Sequence, residues 1–145
     1  MGLNTIFDIA GSGMNAQSVR LNTTASNIAN ADAAASSVDE VYKGRHPVFK
    51  ATYAAMLGSP NFEPGGKPES AGVNVAGIVE SEAPLQMRYE PNHPLADEEG
   101  YVYYPNVNVV EEMANMISAS RSFQVNVEIM NNAKQMVQRV LTLGQ

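Results

Sequence analysis

The chain has 145 residues, no cysteine, and fifteen acidic against nine basic residues, which gives a net charge of −6. A length of this order predicts one domain with one core. The acidic balance and the lack of a Lys/Arg cluster argue against a nucleic-acid partner and against binding to an anionic membrane surface. A chain without cysteine has no disulfide, no thiolate metal ligand and no cysteine nucleophile.

The N-terminal region has the pattern of neither a membrane span nor a cleaved signal peptide. No run in the sequence approaches the roughly 18 apolar residues that cross a bilayer. No basic segment precedes an unbroken apolar stretch. We therefore expect no direct membrane insertion, and any export to proceed without a cleaved signal.

Residues 1–31 are predicted to form one long amphipathic helix. Large apolar residues recur there at helical spacing. The opposite face is rich in asparagine and carries few charges. A helix face that meets water is normally charged, so this neutral face indicates a second set of protein neighbours.

Residues 32–106 differ in composition, since they contain all eight prolines and most of the glycines. Alternating or aromatic stretches at 48–53, 72–80 and 101–104 predict three short strands. The segment 58–72 is rich in glycine and proline, and we assign it no element. This middle region is predicted to be an insert of strands and loops.

Residues 107–145 are predicted to form a second long helix. Apolar residues follow a three-four alternation, and no proline or glycine interrupts it before Gly144. Such a helix is roughly 55 Å long, well beyond the average in globular proteins. An apolar face of this length is expected to pack against a partner helix.

A glycine pattern near the N-terminus resembles a dinucleotide-binding turn. Residues 11–16 match G-x-G-x-x-A, and Asp32 lies about twenty residues downstream, where an acidic ribose ligand is expected. That fold also needs a buried strand before Gly11 and alternating strands and helices after it, and the sequence predicts neither. We interpret Gly11 and Gly13 as residues that ease helix packing or loosen the first turns.

No other pattern predicts catalysis, a metal site or a cofactor. His46 and His93 each precede a proline and have no second ligand at suitable spacing. Residues 96–100 contain three carboxylates but lack the alternating oxygen ligands of a calcium loop, so we interpret them as a solvated turn. We therefore expect a protein that is not an enzyme.

Two long helices around a small β-rich insert predict a mainly α fold. Each helix has more apolar surface than one partner helix covers, which favours a subunit that polymerises. We expect the termini to pair with each other and with neighbouring subunits. The predicted parts are therefore an N-terminal helix at 1–31, an insert at 32–106 and a C-terminal helix at 107–145.

Two stretches carry a family resemblance. The stretch "SGMNAQSVRLNTTASNIANA" (12–31) resembles the N-terminal motif of bacterial flagellar axial proteins, and residues 101–145 resemble their C-terminal motif. The short middle region is similar to that of the proximal-rod proteins of the FlgC type. Residues 32–49 depart from the family pattern, which usually continues into a turn rich in threonine and glycine.

The resemblance implies a structural subunit of the flagellar basal-body rod, a hollow shaft that transmits motor torque and conducts exported subunits. Its implied partners are further copies, rod proteins of the FlgB, FlgF and FlgG types, a FliE-type base adaptor and the flagellar type III export apparatus. The implied location is the rod crossing the cell envelope. Alternatives are another flagellar axial component or a secreted helical interaction protein.

Under this resemblance the two helices pair as a coiled coil, and one set of residues becomes the expected assembly interface. Asparagines where helix meets insert are expected to cap helices or form turns: Asn27, Asn30, Asn106 and Asn108. We call the expected interface the assembly seam, and it consists of Leu3, Phe7, Met14, Leu21, Ile28, Met116, Phe123, Val127, Met130, Val137 and Leu141.

Overall fold

The computed structural model of the chain describes residues 3–53 and 70–143. In sequence order, a small β-rich middle lies between two terminal helices, which confirms the predicted mainly α class. In chain order the elements are α1 (Leu3–Ala29), β1 (Arg45–Tyr53), β2 (Ser70–Glu80), β3 (Gln86–Tyr89), β4 (Tyr101–Tyr104) and α2 (Val109–Leu143). Within the described residues, no helix is long and apolar enough to cross a membrane.

Helix α1 ends two residues before the predicted boundary. The Asn30 side-chain amide and the Asn30 backbone N–H both donate to the Ser26 carbonyl, at 2.8 and 3.1 Å. These bonds satisfy a carbonyl of the last turn that has no partner inside the helix. The chain then turns through Ala31, whose N–H donates to the Ile28 carbonyl at 3.2 Å.

The strands form two separate two-stranded sheets, β1 with β2 and β3 with β4. β3 and β4 are antiparallel, with Gln86 opposite Tyr104 and Tyr89 opposite Tyr101. Ala35 forms an isolated antiparallel bridge with Tyr103 on β4.

All three predicted strands are present, and β1 and β2 begin before their predicted starts. The predicted loop at 58–72 overlaps β2 at residues 70–72, and its other residues lie outside the described ranges. Strand β3 was not predicted, because four residues that alternate Gln and Arg with Met and Tyr give a weak local signal. Its pairing with β4 defines it.

Helix α2 has 35 residues and is about 52 Å long. It begins at Val109, two residues after the predicted start, because Asn108 forms its N-cap. The Asn108 side-chain oxygen accepts the N–H groups of Val110 at 3.1 Å and of Glu111 at 3.4 Å. Glu111 and Glu112 place negative charge in the first turn, where the helix dipole favours it.

The chain divides into two compact units. Unit 1 consists of Met1–Val19, Val48–Gly77 and Ala119–Gln145, and unit 2 consists of Arg20–Pro47 and Ile78–Ser118. Among the described residues, the buried positions of unit 1 are all alanine, whereas unit 2 also buries larger apolar and polar residues. Unit 1 buries Ala10, Ala16, Ala119 and Ala133, and unit 2 buries Thr23, Thr24, Asn27, Ala31, Val41, Gly44, Gly100, Val102, Pro105, Val107 and Glu112.

Candidate functional site: the helix–insert junction and the helix faces

Asn27, in the last turns of α1, lies at the centre of a hydrogen-bond network in unit 2 and is only 1% exposed. Its amide nitrogen donates to the Arg45 carbonyl at 2.8 Å and to a Glu112 carboxylate oxygen at 2.9 Å. Its amide oxygen accepts the Tyr42 hydroxyl at 2.8 Å and the Arg45 backbone N–H at 2.9 Å. All the hydrogen-bonding capacity of this buried amide is therefore used, and Asn27 connects α1 with β1 and α2.

Glu112 provides the α2 side of this network and is 4% exposed. One carboxylate oxygen accepts from Asn27, and the other accepts the Asn115 side-chain amide at 3.4 Å. The Asn115 oxygen in turn accepts from the Arg20 guanidinium at 2.8 Å. Two amides thus satisfy the buried carboxylate, and Asn115 connects it to a cation of α1.

Tyr42 contributes the insert side of the network. Burial raises the pKa of its hydroxyl above the usual value of 10.0. Arg45 lowers that pKa by charge attraction, while Glu112 and Glu80 raise it further. Like any tyrosine hydroxyl it is protonated at neutral pH, and it donates to Asn27. We name Asn27, Tyr42, Arg45 and Glu112 the Asn27 network.

Asn106 makes a second connection within unit 2, just before α2. Its side-chain oxygen accepts the Gly44 backbone N–H at 2.8 Å. Its side-chain nitrogen donates to the carbonyls of Ser81 at 3.2 Å and Ala83 at 2.8 Å. A Cβ at Gly44 would lie 3.4 Å from the Val107 side chain, so the fit at this position is close. Asn106 therefore joins three loop segments of the insert.

The structure brings two of the four predicted junction asparagines into these networks and places the other two at helix ends. Asn27 and Asn106 connect segments that are distant in sequence, whereas Asn30 and Asn108 bond to backbone groups within four residues. Local sequence can indicate a cap, but it does not reveal a connection between distant segments.

The residues of the assembly seam are mostly half-buried in the single chain. Among those on α1, Phe7, Met14, Leu21 and Ile28 all have intermediate exposure, and the Leu3 side chain lies outside the described residues. On α2 only Leu141 is exposed, at 67%, while the remaining seam residues are intermediate.

The buried line of α2 differs in part from the three-four alternation read in the sequence. That alternation includes Met113 and, as its one charged member, Lys134, and both are exposed, whereas Glu112, Ala119 and Ala133 are buried. The buried positions are seven or fourteen residues apart, so a heptad is present but shifted by one residue from the apolar pattern. The side chains on this line are small, or, in the case of Glu112, hydrogen-bonded to two amides.

The two glycines of the G-x-G pattern lie inside α1 and behave differently. A Cβ at Gly13 would lie 2.9 Å from the Asn126 side-chain nitrogen, whereas a Cβ at Gly11 would meet nothing within 4 Å. Gly13 thus permits a close contact with α2 inside unit 1. The neighbouring Ser12 hydroxyl donates to the Ile9 carbonyl at 2.8 Å and accepts the Val73 N–H at 3.1 Å.

Two further candidates from the sequence, the carboxylates at 96–100 and His93, form hydrogen bonds with nearby backbone groups. Asp97 lies in the loop between β3 and β4, and its carboxylate accepts the N–H groups of Tyr101 at 2.8 Å and Glu99 at 3.0 Å. These bonds, the Tyr101 bond first, lower the pKa of Asp97 below its ordinary value of 3.8. The His93 ring accepts the Leu95 N–H at 3.1 Å. In the described parts of the chain, no group of acidic residues or histidines could hold a metal ion.

Sequence reasoning missed Tyr42, Gly44, Arg45 and Glu112. Each is unremarkable in its local pattern, and Glu112 reads as an ordinary first-turn acid of α2. No local signal separates Glu112 from the neighbouring Glu111, since both are first-turn acids of α2 and only the folded chain buries Glu112.

Family models match both ends of the chain. The model described as flagella basal body rod protein matches residues 7–34, which include most of α1 and Asn27. The model described as flagellar basal body rod FlgEFG protein C-terminal matches residues 98–143, which include β4, Asn108 and all of α2.

Curated relatives match over the full length. The flagellar basal-body rod protein FlgC of Escherichia coli O6:H1 is 49% identical over 145 residues, with 100% of both chains covered. The protein of the same name from Salmonella typhimurium is 48% identical with the same coverage. That of Borreliella burgdorferi is 34% identical over 155 residues, covering 100% of this chain and 99% of its own. This chain therefore belongs to the FlgC-type family of flagellar basal-body rod proteins, which are structural subunits of the rod and not enzymes.

Proposed function

We propose that this subunit polymerises through its terminal helices into the proximal part of the flagellar rod. In this assembly α1 and α2 pair as a coiled coil and line a hollow shaft that transmits motor torque and lets exported subunits pass. Its neighbours are further copies and rod proteins of the FlgB, FlgF and FlgG types, with a FliE-type adaptor at the base. The chain reaches this place through the flagellar type III export apparatus.

The distribution of apolar surface on α2 carries this proposal. A helix in a self-sufficient domain buries its large apolar residues, but α2 exposes Val110 at 76%, Ile117 at 56% and Val140 at 63%. These side chains occur along the whole helix, so a single small ligand cannot cover them. Neighbouring subunits can, at a gain of about 25 cal/mol for each Å² of apolar surface removed from water.

The half-buried assembly seam supports the same conclusion. Phe7, Met14, Leu21 and Ile28 repeat every seven residues on α1, and each is only partly covered by its own chain. A strict heptad of large apolar residues is the pattern by which helices supercoil around one another. In the proposed rod, helices of adjacent subunits complete the cover of these side chains.

The mechanism is mechanical. Torque shears each subunit against its neighbours, and many repeated helix contacts share the load. Within unit 2 the Asn27 network connects α1, the insert and α2 through bonds of 2.8 to 2.9 Å. A side chain whose polar atoms are all bonded has few alternative positions, so the network keeps the insert fixed relative to the helix ends under load.

The test is deletion of this chain in its source bacterium, followed by electron cryotomography of the envelope and a swimming assay. We expect non-motile cells whose basal bodies end at the membrane ring without a rod. Expression of the native sequence should restore both rod and motility. Rods and filaments that persist in the deletion strain would contradict the proposal and favour a secreted helical interaction protein.

A further inference from the structure

One face of the β3–β4 pair in unit 2 is apolar and uncovered. Met87 and Tyr89 are 63% and 66% exposed, and Tyr101, opposite Tyr89, is 37% exposed. The Tyr89 and Tyr101 rings meet edge to face, with centroids 5.4 Å apart. This contact fixes the ring orientations, so the surface is preformed. We call Met87, Tyr89 and Tyr101 the hairpin face.

Strand alternation separates the hairpin face from the other side of the same strands. Arg88 and Val102 are paired on that other side, where Val102 is completely buried and the Arg88 guanidinium lies 4.5 Å from the centre of the Tyr104 ring. The buried side of the sheet therefore has its own contacts. On the hairpin face, the Tyr89 ring contacts Tyr101 and lies close to Gly100, where an added Cβ would come within 3.0 Å of it, yet Met87 and Tyr89 stay mostly exposed. Large side chains exposed together indicate an interaction site.

A second uncovered apolar surface lies in unit 1, on the C-terminal half of α2. Val125, Ile129, Met136 and Val140 are between 42% and 63% exposed. At 3.6 residues per turn these four positions share one side of the helix. Ala133, which is buried, lies at one edge of that side, about 20° round the helix from Val140. We call these four residues the α2 tail stripe.

The two surfaces have opposite electrostatic surroundings. Unit 2 contains eleven carboxylates and four Lys or Arg residues, a net charge of −7, whereas the described residues of unit 1 contain two carboxylates and four Lys or Arg residues. Next to the hairpin face, the exposed Glu98 and Glu99 lie in the loop that ends at β4. Arg121 and Arg139, five turns apart, border the α2 tail stripe together with one carboxylate, Glu128.

We propose that the hairpin face of one copy docks on the α2 tail stripe of a second copy. Each surface is apolar at its centre, and the excess charges at their borders are of opposite sign. Charge complementarity of this kind orients two partners as they meet. Because the two surfaces differ, the contact is heterologous, and such contacts build open helical arrays when the rotation does not close. The inference rests on the proposed function, since a rod is an array of this type.

Cysteine crosslinking tests the contact directly, because the native chain contains no cysteine. A chain with Tyr89→Cys and Met136→Cys is produced as the sole copy in the source bacterium, and isolated basal bodies are treated with a short bismaleimide. We expect a ladder of multimers of this chain. Each single variant should give dimers at most.

The matched control replaces Met136→Cys by Asn131→Cys. Asn131 is also exposed on α2, but five residues away and thus about 140° round the helix. We expect no ladder from this pair. Equal ladders from both pairs, no ladder in a motile strain, or a crosslink confined to single chains would overturn the inference. If the native sequence itself fails to restore rods to the deletion strain, the proposed function fails instead, so the two failures are distinguishable.

A charge exchange gives a second, independent measurement. Glu98→Arg with Glu99→Arg, or Arg121→Glu with Arg139→Glu, should each lower the crosslinking yield about two- to fivefold per pair, the range for exposed ion pairs. All four substitutions in one chain should restore the yield. Yields that stay unchanged, or a quadruple variant that stays low, would show that charge does not determine this contact.

Discussion

Unit 2 and unit 1 are stabilised by different kinds of contact. Unit 2 buries valines and a proline, and both polar atoms of the Asn27 side chain form two hydrogen bonds each. Unit 1 buries only alanines among its described residues and leaves its large apolar side chains partly or fully exposed. An alanine removes little apolar area from water, so burial within the single chain stabilises unit 1 much less than unit 2.

The difference indicates a division of roles. Unit 2 has the internal bonds that define a folded part in a single subunit, whereas unit 1 has the surface that a polymer would cover. Small buried residues bring backbones together, and the large residues around them remain available to neighbouring subunits. The predictions below test this contrast, beginning with the largest effect.

Asn27→Ala should destabilise unit 2 by about 3 to 5 kcal/mol, because it leaves the buried Glu112 carboxylate with fewer donors and the Tyr42 hydroxyl without its acceptor. Urea unfolding of the purified chain measures this loss. Asn22→Ala, at an exposed position of the same helix, is the control and should change stability by no more than about 0.5 kcal/mol. Equal effects of the two substitutions would contradict a structural role for the Asn27 network.

Phe123→Ala, in unit 1, should have its main effect in the assembly. Truncating a fully buried Phe costs about 3 to 5 kcal/mol, but Phe123 is only half-buried in the single chain. We therefore expect a smaller loss in the isolated subunit, measured by urea unfolding, together with lost motility. Normal swimming of the variant strain would remove Phe123 from the assembly seam.

Gly11→Ala and Gly13→Ala form a matched pair on α1. Each should gain about 1 kcal/mol of helix propensity. At Gly11 the new methyl meets nothing within 4 Å, while at Gly13 it would approach Asn126 to 2.9 Å. Thermal unfolding should therefore show Gly11→Ala as the more stable variant. Adding Asn126→Ala to Gly13→Ala should recover part of the difference, and equal stabilities of the two single variants would show that α1 and α2 do not approach closely at Gly13.

Asn108→Ala should cost about 1 kcal/mol, because the first N–H groups of α2 lose their acceptor. The loss should be confined to the start of the helix, in unit 2. Hydrogen exchange should show faster exchange at Val110 and Glu111 and unchanged rates near Ile129. Asn108→Asp keeps an acceptor and should retain most of the protection, so a loss as large as that of the alanine variant would argue against capping.

The smallest effect concerns acid titration of the β3–β4 loop. Because the pKa of Asp97 is lowered in the folded chain, its contribution is fully present above the ordinary value of 3.8 and is lost as the pH falls through the lower folded value. NMR titration should show the Asp97 carboxyl and the Tyr101 amide changing together in that range. Asp97→Asn should abolish this coupled change, and a Tyr101 amide that still titrates there would contradict the assignment.

Much of the fold follows from periodic patterns in the sequence. The helices α1 and α2 and the strands β1, β2 and β4 all lie where apolar spacing predicts them. Boundaries differ by two residues where side chains such as Asn30 and Asn108 end or begin a helix. Strand β3 was missed because its only strong determinant is its partner, which lies twelve or more residues away.

The sequence by itself determined the long amphipathic helices, the β-rich insert and the family, because these depend on local spacing and on motifs read in order along the chain. Tertiary structure alone decided which residues are buried. The α2 line of Glu112, Ala119 and Ala133 lies one residue from the apolar alternation, because burial depends on which residues meet in the folded chain and not on local spacing alone. Tertiary structure also decided that Asn27 lies at the centre of the Asn27 network. Its four hydrogen bonds go to three residues that are distant in sequence, and no local pattern in the sequence indicates them.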